Sequence, residues 1–114
     1  MQFELPYPPS INHYWRRVGS RTLISREGRR FRERVMAILA AMGIRPMTGR
    51  LTVNVEVFPP DNRRRDVDNV FKALLDALQH GGAYIDDSQI VRLSIEKQKP
   101  IENGKTIVRI GQSE

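Results

Sequence analysis

The sequence predicts an α+β domain: a single small mixed β-sheet with two helices packed over it. Three observations carry that prediction. Leu51, Val53, Val55 and Val57 alternate with Thr52, Asn54 and Glu56, the period of a strand with one buried face. Phe31, Val35, Ile38, Leu39 and Met42 share one face of a helix, and Val67, Val70, Phe71, Leu74, Leu75 and Leu78 repeat the pattern later. The order strand, helix, strand, helix, hairpin then assembles into one layered core. At 114 residues the chain holds one domain, residues 1–114, with no room for a second substantial core.

The elements follow in order. Phe3 and Leu5 alternate with polar neighbours in a short strand, which the prolines of PYPPS stop by removing ladder donors. Residues 12–20, with His13, Tyr14, Trp15, Arg16 and Arg17, read as a mobile basic loop, and residues 21–24 as a brief strand. Trp15 is expected to pack partly on the core; the alternative has Tyr14 and Trp15 stacking on unpaired bases among Arg16, Arg17 and Arg21. Ser25 suits the N-cap of the first helix and Gly43 its end. Arg26, Arg29, Arg30, Arg32 and Arg34 occupy that helix's flanks and back. Pro59-Pro60 closes the strand over 51–57, and Gly81-Gly82 closes the second helix. Val91, Leu93 and Ile95 alternate as a further strand, and Asn103-Gly104 predicts a hairpin returning through Ile107 to Ile110. The passage through the second helix allows a parallel strand pair, whereas the final hairpin must be antiparallel.

Composition narrows the function. Lys+Arg is 19 against Asp+Glu 13, and the net charge of +6 favours a nucleic-acid partner. A 39% hydrophobic, 28% charged chain is globular rather than disordered. The absence of cysteine excludes disulfides, zinc–thiolate sites and thiol nucleophiles, and suits a reducing cytosol. No apolar run approaches membrane-spanning length and MQFELPYPPS lacks a signal-peptide pattern, so a cytoplasmic location is expected. His13 and His80 are the only histidines, and His80, at a helix end, is expected to meet the terminal carbonyls. No Ser-His-Asp constellation, Walker loop or dinucleotide glycine pattern is spelled out.

The chemistry concentrates in RRRDVDN, residues 63–69. Arg63, Arg64 and Arg65 suit phosphate, while Asp66 and Asp68 repel it. If those two carboxylates cooperate, the chain must still be non-helical at Asp66, with the helix starting about there. One of them alone reads as a helix cap. Lys72 and Asp76 continue from Asp68 at four-residue steps, and on helix geometry alone the better reading is a ladder of surface ion pairs. The other reading has Lys72 neutralising charge on a phosphoryl oxygen. Asp86 and Asp87 form a second acidic pair. A parallel return of the next strand would bring their turn near the start of the second helix, giving an oxygen-only cluster suited to Mg²⁺.

With LPYPPSINHYWR (5–16), RRRDVDNVFKALLDAL (63–78) and AYIDDSQI (83–90) in this order and spacing, the chain resembles the RusA family of Holliday-junction resolvases. The D-x-D-N-x-x-K and D-D-x-Q pieces together make the likeness specific. The resemblance implies a homodimeric, Mg²⁺-dependent endonuclease of phage or prophage origin, cutting paired strands of four-way DNA junctions symmetrically in recombination and repair. By position it implies Asp66, Asp68 and Asp87 as catalytic, metal-binding acids and Lys72 as an essential lysine. Asp86 is then a secondary candidate and Asp76 structural. Arg63, Arg64, Arg65, Arg16, Arg17 and Lys72 are expected to contact DNA. Two other functions fit part of the pattern: a non-catalytic DNA-binding protein of the same fold, and a metal-dependent nucleotide phosphohydrolase. The clustered acids argue against the first and the arginine surplus against the second.

Overall fold

The computed structural model describes residues 1–113. Four strands form one mixed sheet in the spatial order β1 (Gln2–Leu5), β6 (Lys105–Gln112), β4 (Leu51–Phe58), β5 (Ile90–Lys97). A separate antiparallel ribbon joins β2 (Trp15–Val18) to β3 (Arg21–Ile24). The helices are α1 (Ile11–Tyr14), a single turn, α2 (Arg26–Ala41) and α3 (Phe71–His80). Short 3-10 turns at Val67–Val70 and Asp87–Gln89 precede α3 and β5. The predicted α+β arrangement, a mixed sheet under two principal helices, is what forms.

Alternation in the strands decides which face is covered. Val55 sits opposite Val108 of β6 and Ile95 of β5, and Phe3 of β1 opposite Val108 in turn. On that face Leu5, Val53, Val57 and Ile110 are buried against Phe31, Val35 and Leu39 of α2 and Leu74, Ala77 and Leu78 of α3. Each such Val, Leu or Phe contributes roughly 1.5–3 kcal/mol relative to exposure. The opposite face is polar: Asn54 Nδ2 donates to Ser94 Oγ at 2.6 Å, and Arg109 reaches Glu56 at 2.5 Å and Gln2 at 3.0 Å. Thr106 is a fully buried polar side chain, and its hydroxyl donates to the Pro6 carbonyl at 3.1 Å.

The first long helix starts as its sequence predicts. Ser25 has extended backbone, and its Oγ accepts the Gly28 amide at 2.9 Å, satisfying one of the amides left over in the first turn. Gly43, at φ +66°, follows the end of α2 in the left-handed conformation that glycine favours. Gly28 has a different reason. A Cβ there would lie 2.5 Å from the Tyr14 carbonyl oxygen and 2.8 Å from Ile24 Cγ1, so α2 packs on α1 and β3 only because this side chain is missing. Gly28→Ala is therefore expected to lower stability by about 1–3 kcal/mol through overpacking, even though alanine is the better helix former. The check is a fall in the midpoint of urea unfolding with unchanged slope.

Two expectations about connections need correction. Residues 12–20 are not one mobile loop: Ile11–Tyr14 close a helical turn, and Trp15–Val18 pair with Arg21–Ile24 through a turn containing Gly19 at φ +62°. Nor do β5 and β6 form a hairpin. Asn103 and Gly104 do adopt the left-handed pair of φ values, 67° and 66°, that such a turn uses. But β6 lies on the far side of β4 from β5, and residues 98–104 cross the end of β4, where Gln98 N donates to Val57 O and Ile101 N to Pro59 O. β6 is antiparallel to β4 and β1, while β4 and β5 are the parallel pair that the helical passage allows. Among the described residues no helix is long and apolar enough to cross a membrane.

Candidate functional site

The RRRDVDN motif leaves the end of β4 and enters α3. Asp66 is extended (φ −83°, ψ 133°) and the 3-10 turn begins at Val67, so the chain is non-helical at Asp66 as cooperation of the two carboxylates requires. The capping explanation fails here. Asp66 occupies the N-cap position, yet its side chain caps nothing, and neither it nor Asp68 makes a side-chain hydrogen bond or ion pair with a described residue. Both are exposed. Val70, buried at 3%, ties this turn to the core while leaving the two acids outside.

The three arginines are not equivalent. Arg65 Nη1 donates to Asp61 Oδ1 at 2.6 Å and to the Asp61 carbonyl at 3.3 Å, and its guanidinium lies 6.0 Å from the Tyr7 ring centre. Arg63, 83% exposed at its side chain, reaches the other Asp61 oxygen at 3.4 Å. The hydrogen bond from Arg65, helped by the Arg63 amide, lowers the Asp61 pKa to about 2. Asp61 thus neutralises part of the arginine run and fixes its loop. Arg64 is exposed and makes no ion pair with a described residue. Arg16 and Arg17 are exposed on adjacent positions of the β2–β3 ribbon. Beside Asp66 a cleft of about 340 Å³ opens between Tyr7-Pro8-Pro9 and the motif, with His13, Asn69 and Arg63 on its wall.

The second acidic pair divides its work. Asp86 forms a capping box: its Oδ2 accepts the Ser88 amide at 2.9 Å, and Gln89 Oε1 accepts the Asp86 amide at 2.9 Å. The bonds from Ser88 hold the Asp86 pKa below the ordinary carboxylate value. Asp87 caps nothing. Its Oδ1 accepts from the Tyr84 hydroxyl at 2.8 Å, and its amide donates to Gln79 Oε1 at 3.0 Å. Desolvation raises the Asp87 pKa, and the neighbouring Asp86 and Asp76 push the same way, against the Tyr84 hydrogen bond and the Lys72 charge.

The Asp87 turn meets α3 at Gln79 directly and at Leu75 through Tyr84, not at its start as the sequence suggested. Parallel pairing sets Leu51 opposite Ile90, so the turn before β5 lies beside the beginning of β4, whereas the motif follows β4's end. Lys72, in the first turn of α3, exerts a weak opposing charge effect on Asp87. The predicted surface ladder does not form. Lys72 makes no ion pair with a described residue, and Asp76 turns elsewhere: it pairs with Arg32 of α2 at 2.7 Å, accepts from the Tyr14 hydroxyl, and faces His80 at 3.7 Å. Asp76 is therefore structural, a tie between α1, α2 and α3, and His80 meets this carboxylate rather than the terminal carbonyls. Tyr14 is fully buried and cannot stack on a base. Trp15 is half-buried against it, edge to face at 5.0 Å.

Among the described residues no group of three or more His, Asp or Glu side chains is close enough to enclose a metal ion. Asp66, Asp68 and Asp87 are thus not gathered into a cage. What they offer is a set of carboxylate oxygens without partners among the described residues: both side chains of the motif, and Oδ2 of Asp87. That chemistry fits Mg²⁺, which takes one or two carboxylates and keeps several waters, and does not fit a cation needing nitrogen or sulfur ligands. Three residues that pattern reading missed shape the site. Tyr84 and Gln79 hold Asp87, and Asp61 holds Arg63 and Arg65. Asp61 stands four residues before Arg65, a readable spacing, whereas only the fold brings Gln79 to Asp87.

Residues 6–111 match the family model described as endodeoxyribonuclease RusA. A crossover junction endodeoxyribonuclease of Enterobacteria phage HK97 is 40% identical over 114 residues, covering 99% of this chain and 95% of that protein. The crossover junction endodeoxyribonucleases of Shigella sonnei strain Ss046 and Escherichia coli strain K12 are 39% and 38% identical over 111 residues, with 94% of this chain and 92% of each relative covered. On a match spanning nearly its whole length, the chain belongs to the RusA endodeoxyribonuclease family.

Proposed function

We propose that this protein is a Mg²⁺-dependent endodeoxyribonuclease that resolves four-way DNA junctions by symmetric paired cleavage, in recombination and repair. The observation that carries the reading is the pair Asp66 and Asp68, exposed at a helix start and satisfying no protein group, in a chain of the RusA family. Acids that neither cap nor pair have no structural use there, and beside a phosphate they would only repel.

Asp66, Asp68 and Asp87 would hold the cation. Bound Mg²⁺ supplies polarisation of the scissile phosphate and a lowered pKa for an attacking water. The chain's own residues do the rest. Arg63 and Arg64, with Arg16 and Arg17 on the ribbon, hold phosphates and set the salt dependence of binding. Arg65, whose Nη1 is engaged by Asp61, would reach DNA through its other N–H groups. The ammonium of Lys72, which makes no ion pair with a described residue, stabilises charge developing on the phosphate oxygens. A homodimer with two-fold symmetry would present two such sites to a junction whose arms are related the same way, one cut per site. The setting is the cytoplasm of a bacterial or phage-infected cell.

The test is incubation of a synthetic mobile four-way junction with the protein in Mg²⁺ and in EDTA. Paired symmetric nicks in Mg²⁺ alone support the reading. A junction bound but never cut would make the protein a binding module, and hydrolysis of free nucleotides without junction binding would make it a phosphohydrolase.

A further inference from the structure

The Tyr84 hydroxyl stands where a turn and a helix must be fastened together. Tyr84 is buried to 1% exposure, and its Oη lies 2.8 Å from Asp87 Oδ1 and 2.8 Å from the Leu75 carbonyl oxygen of α3. A phenol carries one proton, so these two acceptors compete for it. The Leu75 carbonyl lies inside α3, where the helical ladder already provides it with an amide partner. The Asp87 carboxylate is charged and makes the stronger acceptor. An ordinary phenol keeps its proton well above neutral pH, so the hydroxyl is a donor.

The rest of the turn is braced around this contact. Gln79 Oε1 receives the Asp87 amide at 3.0 Å. Gln89 Oε1 receives the Ile85 and Asp86 amides at 2.8 and 2.9 Å, while its Nε2 donates to the carbonyls of Met47 and Gly49 at 3.0 and 2.9 Å. Only one end of the Asp87 carboxylate is engaged; Oδ2 makes no hydrogen bond with a described residue.

We infer that Tyr84 is a positioning residue for the cleavage reaction: its hydroxyl fixes Oδ1 of Asp87 so that Oδ2 is presented to the divalent cation. The inference rests on the Mg²⁺ reading of Asp87 given above. It follows the general pattern in which a ligating carboxylate is itself hydrogen-bonded from behind, and loss of such a partner weakens metal binding by about 10–100-fold.

Tyr84→Phe removes the hydroxyl and keeps the ring in the core. Binding of Mn²⁺ to DNA-free protein is measured by calorimetry, and the Mg²⁺ concentration for half-maximal junction cleavage is measured beside it. For Tyr84→Phe the Mn²⁺ dissociation constant and the half-maximal Mg²⁺ concentration should both rise at least about tenfold, with cleavage largely restored at saturating Mg²⁺. Circular dichroism and the thermal midpoint separate this from damage to folding, because a merely structural hydroxyl would lower the midpoint and leave the metal dependence alone. Asp87→Asn supplies the control. If Asp87→Asn cleaves and binds Mn²⁺ as the parent protein does, the assignment of Asp87 itself is wrong. If Asp87→Asn loses both and folded Tyr84→Phe loses neither, the positioning role of Tyr84 is overturned. In the double variant the Tyr84 effect on Mn²⁺ binding should vanish, since no carboxylate remains to be held.

Discussion

Asp68→Asn is expected to eliminate junction cleavage, by at least ~10³-fold, more than the roughly 10–100-fold lost when a group that only orients a ligand is removed. The substitution keeps side-chain size and removes the charge on which a hard cation depends. Junction binding should survive and tighten slightly, since one negative charge facing the phosphates disappears. Stability should hardly move, because the Asp68 side chain is exposed and makes no hydrogen bond or ion pair with a described residue. Gel shift of the intact junction, nicking assay and thermal melt on the same preparation check all three. Wild-type nicking by the variant would return Asp68 to an ordinary surface carboxylate.

Lys72→Ala should slow cleavage by roughly 10²–10³-fold, the usual loss when one group stabilising developing charge is deleted. The structure sharpens this expectation, since a ladder lysine would have been paired with Asp68 or Asp76. Asp76 is instead engaged by Arg32, Tyr14 and His80, and Lys72 acts on Asp87 from a distance. Single-turnover cleavage at saturating Mg²⁺ and protein separates a slower chemical step from weaker binding. A rate equal to that of the parent protein would show the ammonium to be idle.

Much of this could be read without coordinates, and the reason is local. The alternation of β4, the apolar stripes of α2 and α3, the Ser25 cap and the glycine after α2 each depend on neighbours a few residues away. The failures of the fold prediction are non-local. Asn103 and Gly104 take the backbone of a tight turn, but which strands flank it is settled by β6 pairing with β1 and β4. Residues 12–20 looked like a loop because their order comes from the carbonyl of Tyr14 receiving Ser25 N and from burial of its ring, not from any periodicity. Arg32 and Asp76 are 44 residues apart, and nothing in either neighbourhood announces the other. In the candidate site the acids and Lys72 were legible as a pattern; the different employment of Asp86 and Asp87 was not weighed. Gln89, three residues after Asp86, carried the capping-box signal that separates them.

One geometric consequence concerns α3, which has two duties along its length. Leu74, Ala77 and Leu78 lock its rotation against the sheet, and the same turns carry Lys72 outward and receive Asp87 at Gln79 and Tyr84 at Leu75. Adding one residue inside this helix would advance everything beyond it by about 1.5 Å and swing it by about 100°. The apolar stripe and the lysine would then disagree about which way the helix should face. Insertions at the β2–β3 ribbon tip or in the crossing at residues 98–104 should therefore be tolerated in this chain, whereas one inside α3 should cost both the core and the site.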